Sequence, residues 1–234
     1  MNPYYSQDYT STSAIDTRVS NIMKRVYVKM FLGLLVTSFV AWVVAFYQQN
    51  LLYFLVQNRW LYWGLLIAEI LLVVGISASI RKMNGQLATA LFYLFAIVNG
   101  LTLSLIFVAY SLPSIFKTFL ITAGTFGAMS VYGYFTNRDL TKIGTFLYMA
   151  LWGLIICLVV NIFWANSTLE WIISFAGVII FIGLTAWDTQ RIKTMAMQAP
   201  NEAVPALSTI GALMLYLDFI NLFIYLLRFF GNRN

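Results

Sequence analysis

The last apolar run of the chain, Pro205 to Phe230, decides the fold and reads PALSTIGALMLYLDFINLFIYLLRFF. It exceeds the length of about 20 residues that an α-helix needs to cross the hydrocarbon of a bilayer. Asp218 lies near its middle, so a spanning helix that rises about 1.5 Å per residue would hold this carboxylate near the bilayer midplane. A carboxylate at that depth costs about 2.5–3.5 kcal/mol. We therefore expect Asp218 to face partners inside a helical bundle.

The composition is that of a membrane protein. The 234 residues are 61% hydrophobic and 9% charged, and their mean hydropathy is +0.82. A soluble domain is about 45–50% apolar and about 25% charged, so this chain is predicted to be an all-α, polytopic membrane protein. The net charge of +6 is distributed between the apolar runs. It therefore indicates membrane topology, and we expect no nucleic-acid partner.

Residue types that commonly carry enzyme chemistry are missing from the sequence. The chain has no histidine, which excludes Ser-His and Cys-His catalytic pairs and imidazole metal sites. Its single cysteine, Cys157, lies in the apolar run LIICLVV and leaves neither a disulfide framework nor a thiolate zinc site. No glycine-rich nucleotide motif is present. We therefore expect neither an enzyme nor a cofactor.

Seven apolar runs follow a polar N-terminal segment. Residues 1–29 predict a flexible tail that leads into an interfacial segment, and residues 30–230 predict a seven-helix transmembrane domain. Six spans with a re-entrant last segment are the alternative. The polar residues 189–204 are predicted to connect the last two spans. The predicted spans are 30–48, 60–80, 86–110, 117–136, 143–164, 170–188 and 205–228.

Lysine and arginine predict the orientation of the bundle. With seven spans and a cytoplasmic N-terminus, ten cations fall on the cytoplasmic side and four on the outer side, as the positive-inside rule expects. The ten are Arg18, Lys24, Arg25, Lys29, Arg81, Lys82, Arg138, Lys142, Arg191 and Lys193, and the four are Arg59, Lys117, Arg228 and Arg233.

Three ionisable residues fall in the cytoplasmic half of the predicted spans: Arg81, Asp188 and Asp218. Two carboxylates that meet in a low dielectric cannot both ionise cheaply, so they share one proton. An arginine within reach competes for the same oxygens through two parallel hydrogen bonds, and calcium also prefers oxygen ligands. The three residues therefore predict a switch in which proton, arginine and calcium are alternatives at one site.

Other interpretations of the intramembrane polar residues stay open. Asp188 can form a local surface pair with Arg191, three residues further along a helix. Arg81 can act as a positive-inside anchor. Glu69, in the second span, can be a protonated residue that hydrogen bonds to a neighbouring helix. Together with Asn99 and Asn221, Glu69 is also a candidate pore-lining residue.

Two stretches resemble the signature of the Bax inhibitor-1 family. They are LTAWDTQRI, residues 184–192, and LYLDFINLFIYLLR, residues 215–228. The resemblance implies a seven-helix bundle whose central last helix is wrapped by the others, and an association with pH-dependent calcium leak. It also implies that Asp188 and Asp218 are the paired pH-sensing carboxylates and that Arg81 is the basic partner that latches the pore. From their oxygen ligands, we expect Asp188 and Asp218 to bind calcium transiently.

The resemblance leads us to expect a pH-sensitive calcium leak channel in a bacterial cytoplasmic membrane. The expected partners are calcium, protons and the lipid bilayer, and we expect a monomer rather than an obligate oligomer. The alternative is a regulator that does not conduct ions and binds other membrane proteins, such as a quality-control protease or a cell-death or stress partner. An intramembrane hydrolase that uses the aspartate pair is a third interpretation.

Overall fold

The computed structural model describes residues 3–81, 84–164 and 166–232, with side chains from residue 15 onward except at positions 59, 80 and 81. These residues form α-helices joined by short connections, and none of them forms a strand pair. The helices are α1 (Pro3–Tyr47), α2 (Gln49–Gln57), α3 (Arg59–Arg81), α4 (Gly85–Leu103), α5 (Ile106–Ala109), α6 (Leu112–Phe135), α7 (Thr141–Trp164), α8 (Ser167–Gln198) and α9 (Val204–Phe230), and a 3-10 turn at Asn201–Ala203 precedes α9.

Seven helical segments in the described part of the chain are long and apolar enough to cross a membrane. This confirms the predicted all-α, polytopic bundle. The last segment contains α9, an uninterrupted helix of 27 residues, which favours seven spans over the alternative with a re-entrant last segment. The spans are Ile15–Tyr47, Trp60–Ser79, Gly85–Ala109, Leu112–Phe135, Thr141–Trp164, Ser167–Gln198 and Asn201–Phe230.

Helix α9 is the most buried of the seven spans. In its most apolar window 72% of the residues are buried, and it packs against α1, α3, α4, α6 and α8. Leu215, Tyr216 and Leu222 have no exposed surface at all. A bundle in lipid buries apolar and polar side chains together on such a helix, because lipid tails give no hydrophobic drive between helices.

The first helix departs from the predicted boundary at residue 29. From residue 15 onward the expected tail and interfacial segment instead belong to α1, which continues without a break into the first span. Val19, Ile22, Met23 and Val26 are at most 3% exposed and lie within the core of the bundle. Their spacing of three and four residues gives this polar stretch an apolar face, and that face holds it against the other helices.

Helix α8 also extends beyond its predicted end at residue 188. It reaches Gln198, so the expected connection over 189–204 is mostly helix. Ile192 and Ala196 are fully buried one and two turns after Asp188, on the same helix face, while the charged residues between them point outward. The helix stops before Pro200, since a proline disfavours helical backbone in the residue that precedes it.

Small residues let neighbouring helices approach α8 closely. A Cβ at Gly133 of α6 would overlap the backbone of Ala186, and one at Gly144 of α7 would overlap the Trp187 ring. On the third side, Gly177 of α8 itself lies against the ring of Tyr225 in α9. These contacts fix α8 between three neighbours, which determines the position of Asp188.

The contact between α6 and α8 predicts a position-dependent effect of alanine. We expect Gly133→Ala to lower the stability of the bundle by about 1–3 kcal/mol, because the added methyl group overpacks the Ala186 carbonyl. The matched control is Gly124→Ala in the same helix, where a Cβ meets no atom within 4 Å. Unfolding midpoints in detergent compare the two variants, and equal midpoints would contradict the close approach.

Candidate functional site

Asp188 and Asp218 lie on the two antiparallel helices α8 and α9, which pack against each other. Asp188 stands roughly 15 Å before the end of α8, and Asp218 stands roughly 21 Å after the start of α9, at 1.5 Å per residue. The two carboxyl groups therefore lie well inside the bundle. They face the end that carries the α6–α7 and α8–α9 connections and the start of α1, which we call the basic end.

The two aspartates form a buried carboxyl pair. Asp188 is 8% exposed and Asp218 is 4% exposed. Their carboxyl groups lie close enough to hydrogen bond to each other. Ionised carboxylates only accept hydrogen bonds, so the two groups bond to each other only when one of them carries a proton. The structure therefore brings together the two carboxylates that the sequence singled out.

The outer oxygens of the pair lack protein partners. Asp188 Oδ1 and Asp218 Oδ2 are buried and accept no hydrogen bond from any described residue. The same holds for the hydroxyls of Ser130 and Thr189. Thr189 follows Asp188 directly, and Ser130 lies one turn before Gly133 on the face of α6 that meets α8. Buried polar groups are normally satisfied, so these oxygens mark where water or a cation can be accommodated.

The carboxylates of the pair are too few to hold a metal ion by themselves. Within the described ranges, no group of three or more His, Cys, Asp or Glu side chains comes close enough to hold a metal. Calcium takes six to eight oxygen ligands, and the pair supplies two carboxylates. Hydroxyl groups, backbone carbonyls and water would have to complete the shell.

The predicted latch residue cannot be compared with this geometry. The side chain of Arg81 lies outside the described residues, so its contact with the pair stays a prediction. The backbone of Arg81 ends α3 at the basic end of the bundle, and α3 packs against both α4 and α9. The helix that carries Arg81 is thus a neighbour of the helix that carries Asp218.

A second arginine lies close to the pair. The charge of Arg191 acts on Asp188, and its guanidinium lies 5.2 Å from the centre of the Trp187 ring. One of the open sequence interpretations paired Arg191 with Asp188 at the surface. Asp188 is instead buried and bonded to Asp218, so Arg191 influences the pair from its exposed side.

Glu69 belongs to a separate hydrogen-bonded network, whose partners Thr37 and Tyr216 the sequence did not identify. Thr102 Oγ1 donates to Glu69 Oε1 at 2.7 Å, and the Asn99 side chain also bonds to Glu69. The Tyr216 hydroxyl donates to Asn99 Oδ1 at 2.9 Å and lies 2.6 Å from the Thr37 hydroxyl. The network joins α1, α3, α4 and α9, and it supports the interpretation of Glu69 as a residue that bonds to neighbouring helices.

The other candidate pore-lining residues occupy different surroundings. Asn99 is 7% exposed and lies inside the Glu69 network. Asn221 is half-buried, and its Nδ2 donates to the Leu217 carbonyl of its own helix at 2.8 Å. The pore-lining roles of Glu69, Asn99 and Asn221 stay predictions. The signal for the missed residue Tyr216 is its place two residues before Asp218 in an otherwise apolar helix.

Comparison with known proteins identifies the family. The family model described as inhibitor of apoptosis-promoting Bax1 matches residues 19–234. The chain is 48% identical over 214 residues to the inner membrane protein YbhL of Escherichia coli strain K12, covering 90% of this chain and 91% of the relative. It is 43% identical over 216 residues to an uncharacterized protein of Borreliella burgdorferi, covering 92% and 93%.

A more distant relative extends the match along the chain. An uncharacterized membrane protein of Streptococcus pyogenes serotype M3 is 34% identical over 228 residues, covering 97% of this chain and 99% of the relative. The family model covers the second to seventh spans completely and the first span from residue 19 onward. The chain is an integral, multi-pass membrane protein and belongs to the Bax inhibitor-1 family.

Proposed function

We propose that this protein is a pH-sensitive calcium leak channel of the bacterial cytoplasmic membrane, with its N-terminus in the cytoplasm. The observation that carries the proposal is the buried hydrogen bond between Asp188 and Asp218, which joins two spanning helices. Intramembrane carboxylates that face the interior of a bundle characteristically serve ion or proton pathways. The membership of the chain in the Bax inhibitor-1 family supports the same function.

The proton on the pair controls the contact between α8 and α9. With one proton shared, the two carboxyl groups attract each other and hold the helices together. Loss of this proton leaves two negative charges side by side in a low dielectric, where they repel each other or recruit a cation. The contact between α8 and α9 then loosens on the side of the pair that faces the basic end. The short connection between the two helices lies at that end. Calcium enters between them as the competing cation.

Arg81 acts as the second competitor for the pair. Its guanidinium binds a deprotonated carboxylate through two parallel hydrogen bonds and so holds the channel closed. Because arginine stays charged at every physiological pH, this latch depends only on the protonation of the pair. Arg191 lowers the cost of negative charge on Asp188 from the exposed side.

Glu69 provides a further polar group along the proposed calcium route. Its carboxylate accepts hydrogen bonds from Thr102 and Asn99, and Tyr216 links it to the helix that carries Asp218. In this proposal, Glu69, Asn99 and Asn221 line the route between the pair and the opposite end of the bundle. The hydroxyl and amide groups replace part of the hydration shell of a passing cation.

A regulator that binds other membrane proteins is the second candidate function. The family is described as an inhibitor of apoptosis-promoting Bax1, and inhibition of another protein favours this role. The two functions differ for the isolated protein, since a channel conducts alone and a regulator requires its partner. A truncation that tests partner binding must end before Ile15, because residues from Val19 onward contribute to the core.

The proposed sensor predicts the behaviour of Asp218→Asn. Calcium entry into dye-loaded liposomes should vary with pH for the wild-type protein and should lose this variation in the mutant. The asparagine amide can still bond to Asp188, so the helix contact is kept while the titrating proton is removed. Glu202→Gln, an exposed carboxyl at the start of the same segment, is the matched control.

Two results of this flux experiment would contradict the proposal. The first is identical pH dependence in wild type, Asp218→Asn and Glu202→Gln, which would remove the pair as sensor. The second is the absence of any calcium flux from the purified wild-type protein, which would favour the regulator.

The proposed latch predicts that Arg81→Gln raises calcium flux. Arginine competes with the proton for the carboxylate, so the latch acts mainly at higher pH, where the pair is less protonated. We expect Arg81→Gln to raise calcium flux in that range and to change it little at low pH. Lys142→Gln removes an exposed cation from the same end of the bundle and serves as control. Equal flux from both variants at every pH would contradict the latch.

A further inference from the structure

A basic cleft opens at the basic end of the bundle, between the α6–α7 connection and the last turns of α8. Its volume is about 590 Å³. Three cations line it, Arg138 from the connection and Arg191 and Lys193 from α8, beside a single carboxylate, that of Asp139. The lining therefore carries an excess of positive charge.

Aromatic rings and a backbone carbonyl hold two of these cations in place. Lys193 Nζ donates to the Tyr134 carbonyl at 2.8 Å and lies 4.8 Å from the centre of the Tyr134 ring. The Arg191 guanidinium lies over the Trp187 ring. These contacts orient the two groups but leave their charge in place, and they leave further N–H donors for a ligand.

The cleft has a defined wall because Gln190 joins its two sides. The Leu140 amide donates to Gln190 Oε1 at 2.9 Å, and Gln190 Nε2 donates to the Arg138 carbonyl at 2.8 Å. These two hydrogen bonds fix the backbone of Arg138 against α8. The cations therefore lie in a cleft with an ordered wall and are not scattered over the surface.

The one carboxylate in the lining is engaged elsewhere. Asp139 Oδ1 accepts a hydrogen bond from the Thr141 amide at 2.9 Å, at the start of α7. Hydrogen bonds from Thr141 hold the pKa of Asp139 below its ordinary value, so its carboxylate stays ionised and directed at the helix terminus. It therefore offsets only part of the charge of the three cations.

The surface beside the cleft is suited to acyl chains. Phe135, Ile143 and Phe146 of α6 and α7 are 71%, 54% and 67% exposed, and all three lie in spanning segments. Trp187 and Tyr134 lie near the level of the cleft, where interfacial aromatic residues meet lipid headgroups. A ligand with an anionic head and apolar tails matches both parts of this surface.

We propose that the cleft binds the phosphate of an anionic phospholipid headgroup, with Arg138, Arg191 and Lys193 as its ligands. Guanidinium and ammonium groups form charge-assisted hydrogen bonds with phosphate oxygens, and basic pockets between membrane helices on the cytoplasmic side suit such headgroups. The apolar surface that continues from the cleft selects a lipid over free phosphate. The lipid proposal does not rest on the proposed ion conduction, although one of its ligands, Arg191, also acts on Asp188.

Lipid binding to the full-length protein tests this site. Native mass spectrometry in a neutral detergent measures the dissociation constants of dioctanoyl-phosphatidylglycerol and dioctanoyl-phosphatidylcholine. We expect the wild-type protein to bind the anionic lipid about tenfold more tightly, and the Arg138→Gln/Lys193→Gln double variant to lose about that factor. Arg191 is kept in the variant because its charge also reaches Asp188.

Two further variants distinguish loss of the lipid site from loss of folding. In the single variant Arg138→Gln, the altered side chain is exposed, and the hydrogen bond to Gln190 is made by the backbone carbonyl of residue 138. We therefore expect this variant to fold and to bind the anionic lipid several-fold more weakly than the wild-type protein does. Lys142→Gln removes a nearby cation that does not line the cleft and should bind like wild type.

Three outcomes would overturn the proposal. They are equal affinity for the two lipids, unchanged affinity in Arg138→Gln and in the double variant, and displacement of the anionic lipid by inorganic phosphate at an equal concentration. The last result would identify a site for a free anion.

Discussion

The hydrogen bond between Asp188 and Asp218 is the constraint on which the bundle depends. An isolated carboxylate near the middle of a bilayer is costly, and two of them are tolerable only while they share a proton and stay away from lipid. The structure meets this condition by burying both groups between α8 and α9. Glycines in α6 and α7 have no side chain, so these helices pack directly against Ala186 and Trp187 of α8. This close packing keeps the pair inside the bundle.

A second polar system depends on the same helix. Tyr216 lies two residues before Asp218 and connects α9 to Asn99 and Glu69 through hydrogen bonds. A movement of α9 that follows a change in the aspartate pair would therefore also disturb the Glu69 network. This shared helix is the physical basis for the proposed coupling between the pair and the rest of the route.

The sequence predicted those features that depend on length and local chemistry. The seven spans follow from hydropathy, and the meeting of Asp188 with Asp218 was expected from their positions in the predicted spans as well as from the resemblance. The continuity of residues 15–29 with the first span and the helical residues 189–198 were not predicted, because the polar composition of these segments concealed apolar faces such as that of Ile192 and Ala196. The Glu69 network depends on contacts between four helices, which no local pattern contains.

Infrared spectroscopy tests the central claim, that Asp188 and Asp218 share one proton, most directly. The wild-type protein in lipid should show the C=O stretching band of a protonated carboxyl group, because the hydrogen bond between the pair requires one. This band should vanish or shift in both Asp188→Asn and Asp218→Asn and should be retained in Glu69→Gln. A band that is the same in wild type and in both aspartate variants would contradict the account.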